Sequence, residues 1–174
     1  LDLLIIGGGI TGAGVALQAA ASGLETGLIE MQDFAEGTSS RSTKLVHGGL
    51  RYLKQFDVEV VSDTVSERAV VQQIAPHIPK PDPMLLPVYE EEGATFSLFR
   101  LKVAMDLYDL LAGVNNTPAA NKVLSKEEVL EREPELKKEG LVGGGVYLDF
   151  RNNDARLVIE NIKRANQDLS LIHI

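Results

Sequence analysis

With 174 residues, 44% of them hydrophobic and 24% charged, the chain has the make-up of one soluble globular domain, or one and a fraction, with a substantial core. It lacks cysteine, which excludes disulfides and thiolate metal sites and points to no oxidising compartment, so a cytoplasmic protein is expected. A formal net charge of -8 argues against general nucleic-acid binding, and no apolar run reaches the roughly twenty residues of a membrane span, so neither nucleic acid nor membrane is expected as a partner.

Leu3-Leu4-Ile5-Ile6 is a short apolar run of the kind that forms a buried strand, and because it stands so early no leader segment is expected. Directly after it, Gly7, Gly9 and Gly12 have the spacing of a dinucleotide fingerprint. The first permits a tight turn, the second leaves room for a pyrophosphate against the backbone, and the third lets helix and strand pack closely. Residues 10–22, rich in alanine, favour a helix with a slim face, whose free first N–H groups attract an anion; Gly23 ends it. Thr26–Ile29 reads as a second, parallel strand, with Glu30 at its carboxyl end, eighteen positions beyond Gly12. An acid there holds ribose hydroxyls and repels an added 2'-phosphate, which disfavours NADP. An ordinary glycine turn beside a surface glutamate is the plainer alternative; strand, turn, helix, strand and acid in register favour a nucleotide without saying which.

Between Gly37 and Phe56 the local charge reverses: Arg41, Lys44, His47, Arg51 and Lys54 occur with no acid. Thr38, Ser39, Ser40, Ser42 and Thr43 bring hydroxyls and small side chains to an expected helix start, which suits a pyrophosphate and a flat ring against the backbone, or else merely caps a solvated helix.

Residues 58–74 follow as a helix with Val58, Val61, Val65 and Val70 inward and Asp63, Glu67 and Arg68 outward. Pro76, Pro79, Pro81 and Pro83 then interrupt regular structure, marking the expected crossing between domains. Residues 84–89 can form a strand in which Pro87 requires an edge or irregular place, and Glu90-Glu91-Glu92-Gly93 is a solvated turn, with no histidine close enough to suggest a metal. Residues 96–111 show helical periodicity, with Phe99, Val103, Met105, Leu107, Tyr108, Leu110 and Leu111 mostly inward as core. After a loop over 113–121, Ser125-Lys-Glu-Glu-Val opens a short acidic helix with a capping box, stopping near Pro134. Residues 140–150 return to strand, and because the strand follows Gly143-Gly144-Gly145 these glycines are no second phosphate loop. Asn153-Asp154 caps a helix over 155–166 that buries Leu157, Val158, Ile159 and Ile162, and residues 171–174 begin a further strand.

The glycine run 7–14, the stretch Thr38-Ser39-Ser40-Arg41-Ser42-Thr43-Lys44-Leu45-Val46-His47-Gly48-Gly49-Leu50-Arg51-Tyr52-Leu53, and the later Ala75-Pro76-His77-Ile78 and Asn153-Asp154-Ala155-Arg156-Leu157 together resemble the FAD-dependent glycerol-3-phosphate dehydrogenase and oxidase family. The resemblance extends to about residue 167, and residues 169–174 depart from it. It implies an α/β fold: a Rossmann-like FAD-binding domain of the glutathione-reductase type with part of an α+β cap domain that binds the substrate. Residues 1–78 would be the first part of the FAD domain, 79–150 part of the cap, and 151–174 the return to the FAD domain.

Carried over by position, the resemblance assigns Gly7, Gly8, Gly9, Thr11 and Gly12 to FAD and Glu30 to its ribose. Ser39, Ser40, Ser42 and Thr43 would line pyrophosphate and flavin, and Lys44, Leu45, His47, Gly48 and Gly49 would lie by the isoalloxazine. Arg51 would meet the phosphate of glycerol 3-phosphate; its guanidinium fork suits a phosphate dianion, although a surface ion pair is the bland alternative. His47 alone in this stretch exchanges a proton near neutral pH, as general base, flavin contact or structural histidine. The implied reaction is oxidation of sn-glycerol 3-phosphate to dihydroxyacetone phosphate, without a metal. The stretch 96–121 is nearer to the soluble bacterial oxidases, which use oxygen and form hydrogen peroxide. A quinone-linked dehydrogenase, another FAD enzyme such as an amino-acid oxidase, and a noncatalytic nucleotide-binding module are the alternatives.

Overall fold

The computed structural model describes residues 1–90, 97–168 and 171–173. The expected acidic turn at 91–93, the helix start at 96 and the divergent residues 169, 170 and 174 lie outside them. The chain divides into two compact units, one of Leu1–Leu45, His77–Pro79 and Arg151–Ile174, the other of Val46–Pro76 and Lys80–Phe150. Residues 46–76 thus group with the second unit, whereas the sequence grouping was 1–78.

In the first unit, β1 (Leu3–Ile6) and β2 (Thr26–Ile29) pair in parallel, Leu3 opposite Thr26 and Ile6 opposite Ile29, and β7 (Leu171–His173) pairs in parallel on the other side of β2. The crossover that parallel pairing requires is α1 (Ile10–Ala21). Its buried face is Ala13, Ala16, Ala19 and Ala20. Methyl groups this small let it pack between Ile5 and Leu28 of the strands and Val158, Ile162 and Ala165 of α5 (Asp154–Asp168). On α5 the buried stripe is Val158, Ile162 and Ala165; Ile159, expected inside, is 36% exposed.

The second unit is built on a four-stranded sheet with the order β3 (Leu45–Val46), β6 (Leu141–Arg151), β4 (Lys80–Tyr89), while β5 (Lys122–Leu124) pairs antiparallel with β6. β4 begins at Lys80 and runs through Pro81, Pro83 and Pro87, earlier than the prolines suggested. Its edge place explains this, since an edge strand leaves one row of N–H groups outside the ladder. The core combines α2 (Val58–Ile74) and α3 (Leu98–Leu111) through Val61, Val65, Leu101, Ala104, Met105 and Tyr108. The short α4 (Lys126–Arg132) carries its capping box, Glu128 N donating to Ser125 Oγ at 3.2 Å and Ser125 N to Glu128 Oε2 at 2.8 Å.

Two helix faces depart from expectation. On α3, Phe99, Val103 and Leu110 are exposed and the inward stripe is Leu101, Ala104, Met105 and Tyr108, with Asp109 also buried. Asp109 tolerates burial because its Oδ2 accepts from the backbone and side-chain nitrogens of Asn121, at 2.6 and 2.8 Å. On α2, Val58 and Val70 are exposed, and Arg68, expected outward, is only 4% exposed because its guanidinium is paired inside the unit.

A Cβ on Gly12 would lie 1.9 Å from the Gly7 carbonyl oxygen, while one on Gly14, in the same helix, would meet nothing within 4 Å. Gly12→Ala should therefore destabilise the chain by about 1–3 kcal/mol or more, because the opposing atom is backbone. Gly14→Ala should stabilise it by about 0.5–1 kcal/mol. Urea midpoints of the two variants against the parent check both signs.

Candidate functional site

In the first unit the end of β1 and the start of α1 form a bend of bare backbone. Gly7 has φ +108°, a conformation that side-chain-bearing residues rarely adopt, and its N–H donates to Ile29 O at 2.8 Å. Gly9 is the extended residue before the helix. The first-turn N–H groups, including those of Thr11 and Gly12, have no acceptor within the helix and carry its positive end.

Glu30 leaves β2 beside this bend. Its Oε2 accepts from Gly8 N at 2.6 Å and its Oε1 from Gln32 N at 2.9 Å. The Gly8 amide first, then that of Gln32, hold its carboxyl below the usual glutamate range, so it is anionic at neutral pH. Each oxygen keeps a lone pair for a further donor such as a hydroxyl.

The hydroxyl-rich stretch forms a 3-10 turn at Thr38–Ser40, not the expected helix start. It lies against the glycine bend: Ile10 N donates to Ser39 Oγ at 2.9 Å, and a Cβ on Gly9 would come within 3.0 Å of that oxygen. Ser42 donates to Asp154 Oδ2 and accepts from Lys44 N, the latter at 2.9 Å. Lys44, at φ +61°, donates through Nζ to Ser40 O and stands 3.5 Å from Asp154 Oδ2. A cavity of about 250 Å³ opens here, lined by Thr38, Ser39, Ser42 and Asp154 with apolar Leu157 and Val158. That is below the roughly 300–1,000 Å³ of a complete ligand pocket, a size suited to part of a dinucleotide. Ser39, Ser42 and Lys44 are thus brought to the bend or to the start of α5, Leu45 is half-buried, and Thr43 is exposed. Asp154, read from sequence only as a helix cap, is the shared partner of Ser42 and Lys44.

His47, Gly48, Gly49 and Arg51 belong to the second unit. His47 and Arg51 are exposed, and Gly48 and Gly49 are buried. Gly49, at φ +72°, opens a 3-10 helix over Leu50–Gln55. Arg51 lies over the Tyr52 ring, 5.0 Å from its centroid, and Nη2 donates to the Tyr52 hydroxyl at 3.3 Å, which leaves the rest of its donor fork facing outward.

Behind Gly48 lies a polar cluster that sequence reasoning missed. Tyr108, Asp149 and Arg68 are 0%, 2% and 4% exposed. Arg68 Nη1 donates to the Tyr108 hydroxyl at 2.7 Å and to Asp149 Oδ1 at 3.1 Å. Burial pushes the Asp149 carboxyl up from its ordinary range while Arg68 opposes that shift, and burial also pushes the Tyr108 hydroxyl up. No local pattern signals the cluster, since Arg68 and Asp149 are 81 positions apart. Among the described residues, no group of three or more His, Asp or Glu side chains is placed to hold a metal ion, and no helix is long and apolar enough to cross a membrane.

The first unit's bend fits the diphosphate of a dinucleotide: main chain without side chains, first-turn N–H groups, and an anionic carboxylate beside them. A family model described as FAD dependent oxidoreductase matches residues 2–169. The chain is 94% identical over 172 residues to the alpha-glycerophosphate oxidase of Streptococcus pneumoniae, covering 99% of this chain and 28% of that protein. It is 78% identical over 167 residues to the alpha-glycerophosphate oxidase of Enterococcus casseliflavus, covering 96% of this chain and 27% of that protein. The chain thus spans little more than a quarter of the length of the curated relatives it matches. The X-ray structure of glycerol-3-phosphate dehydrogenase from Bacillus halodurans complexed with FAD aligns with a TM-score of 0.69 at 40% identity, over 100% of this chain and 26% of that one. L-alpha-glycerophosphate oxidase from Mycoplasma pneumoniae, at 18% identity and a TM-score of 0.67 over 99% of this chain and 44% of that one, shares the fold.

Because the folded pKa of Glu30 is lowered, its contribution to stability is present above the ordinary value of 4.5 and is lost as pH falls through the lower folded value. A carboxyl-carbon NMR titration of Glu30 should have its midpoint below 4.5, and the Gly8 amide shift should titrate with it. Glu30→Gln should abolish the Gly8 titration.

Proposed function

Since the chain belongs to the FAD-dependent oxidoreductase family, we propose that it supplies the opening part of an enzyme that oxidises sn-glycerol 3-phosphate to dihydroxyacetone phosphate, with oxygen as acceptor and hydrogen peroxide as second product. The observation that carries this reading is the near-identity to the streptococcal alpha-glycerophosphate oxidases, 94% over 172 residues for that of Streptococcus pneumoniae. A cytoplasmic location fits the absence of cysteine, and the net charge of -8 fits a small-molecule substrate better than a nucleic acid.

In this reading Gly7, Gly8, Gly9, Thr11 and Gly12 hold the diphosphate of FAD by main-chain contact, and the Glu30 carboxylate accepts from its ribose hydroxyls. Ser39, Ser40, Ser42 and Thr43 line diphosphate and flavin, with Asp154 fixing the Ser42 and Lys44 side chains. Lys44, Leu45, His47, Gly48 and Gly49 border the ring system. FAD, when bound, supplies the two-electron acceptor for the hydrogen on the substrate's secondary carbon. Arg51 binds the ester phosphate through the donors that Tyr52 does not use. His47 takes the hydroxyl proton at a ring nitrogen, which leaves the carbonyl of the product. A quinone acceptor is the second reading, favoured by the dehydrogenase structure that covers the whole chain.

In a full-length polypeptide carrying residues 1–174 and loaded with FAD, glycerol 3-phosphate should bleach the yellow flavin absorbance without air, and glycerol or amino acids should not. Oxygen consumption against reduction of a soluble quinone then decides the acceptor. Arg51→Ala should raise KM for glycerol 3-phosphate by roughly 10–100-fold, the loss of a hydrogen-bonded charge, while glycerol stays inert. Residues 1–174 alone should show negligible turnover; measurable oxidation by them would refute the assignment of most substrate contacts to further chain.

A further inference from the structure

The buried cluster of the second unit converges on the backbone of one residue, Gly48, whose N–H and C=O belong to two successive peptide groups. Gly48 N donates to the Tyr108 hydroxyl at 3.1 Å and to Asp149 Oδ1 at 3.3 Å, and Gly48 O lies 2.9 Å from Thr64 Oγ1, whose single proton it shares with Val60 O at 2.7 Å. Three elements provide these groups: Thr64 and Arg68 come from α2, Tyr108 from α3 and Asp149 from β6. Arg68 Nη1 ties the two acceptors together and also donates to Leu148 O at 3.2 Å. Its guanidinium is held between the rings of Tyr108 and Phe150, 5.5 and 4.7 Å from their centroids.

A Cβ on residue 48 would stand 2.3 Å from the Tyr108 hydroxyl oxygen and 2.4 Å from Val65 Cγ1, so the peptide rests directly on the cluster. Burying an ion pair brings little net stability compared with apolar residues of the same volume. A hydrogen-bonded polar network does impose direction, because its donors and acceptors meet in few arrangements. Here that direction is transmitted to Gly48, whose neighbours are the exposed His47 and the left-handed Gly49.

We infer that Tyr108 and Asp149, tied together by Arg68, hold the Gly48 N–H while Thr64 holds the Gly48 C=O, so that these four positioning residues fix the two peptides flanking Gly48 and set how residues 47–49 are presented to flavin and substrate, an inference that rests on the function proposed above. None of the four touches the reacting atoms in this scheme. Their effect is on the rate at which correctly bound substrate reacts.

Tyr108→Phe removes one oxygen and keeps the ring, and Thr64→Val removes the opposing hydroxyl at nearly constant volume. In the FAD-loaded full-length protein, hydrogen exchange at the Gly48 amide should rise about tenfold in each, with the other amides of the second unit unchanged. Flavin bleaching by glycerol 3-phosphate should slow by about tenfold with KM within about twofold of the parent, and Thr64→Ser should restore both readouts. Unchanged exchange at Gly48 in both variants overturns the inference. An even rise across the whole unit also overturns it, since the cluster would then serve only core stability. If the parent flavin is not bleached by glycerol 3-phosphate the proposed substrate falls, and the exchange measurement still decides whether the clamp exists.

Discussion

The first unit depends on one close approach, that of the Gly12 α-carbon to the Gly7 carbonyl, where a single methyl group would stand 1.9 Å from oxygen. Because helix and turn touch backbone to backbone, α1 leaves the sheet at a fixed angle, with its alanine face on Ile5 and Leu28 and its amino end aimed across Gly9. The same approach brings Ile10 N within reach of Ser39, so the hydroxyl-rich turn and the glycine bend share one site. A bend of this kind needs few side chains; main-chain donors are placed by packing, and side chains are excluded to make room.

The second unit solves a different problem. Its core combines apolar contacts among Val61, Val65, Leu101 and Met105 with a buried cation, carboxylate and phenol. Leaving any of these unpaired would cost several kcal/mol, roughly the range measured for broken buried pairs. Their arrangement around Gly48 answers that cost, because each finds partners there and each in turn constrains the segment bearing His47. Each unit thus has its own device: bare backbone and a helix end at the glycine bend of the first, and a braced loop around Gly48 in the second.

What was legible in the sequence was whatever backbone geometry demands locally. Glycine spacing, the bounds of β1, β2 and α2, and the Ser125–Glu128 capping box each follow from neighbours within a few positions, but of the β1 run expected to be buried only Ile5 is, Leu4 and Ile6 being 51% and 81% exposed. Less legible was which face of a helix turns inward, because that is decided by distant partners. Arg68 reads as a solvent-facing base until Asp149 is brought to it, and Asp109 as a surface acid until Asn121 folds back over it. On α3 the apolar residues surround much of the helix, so periodicity alone did not separate exposed Phe99 and Val103 from buried Leu101 and Met105. The glycine bend, Glu30 and Ser39 were visible as a site, whereas the part of Asp154 in holding Ser42 and Lys44 required the fold.

The first unit is discontinuous, closed by α5 more than a hundred residues after β2, while the second is continuous from Val46 to Phe150 but for three residues. On a ribosome, Leu28 and the alanine stripe of α1 therefore wait for Val158 and Ile162, made more than a hundred residues later, before that face is covered. The glycine bend, although encoded early, thus leans on a helix made only after the whole segment from Val46 to Phe150 has been threaded out.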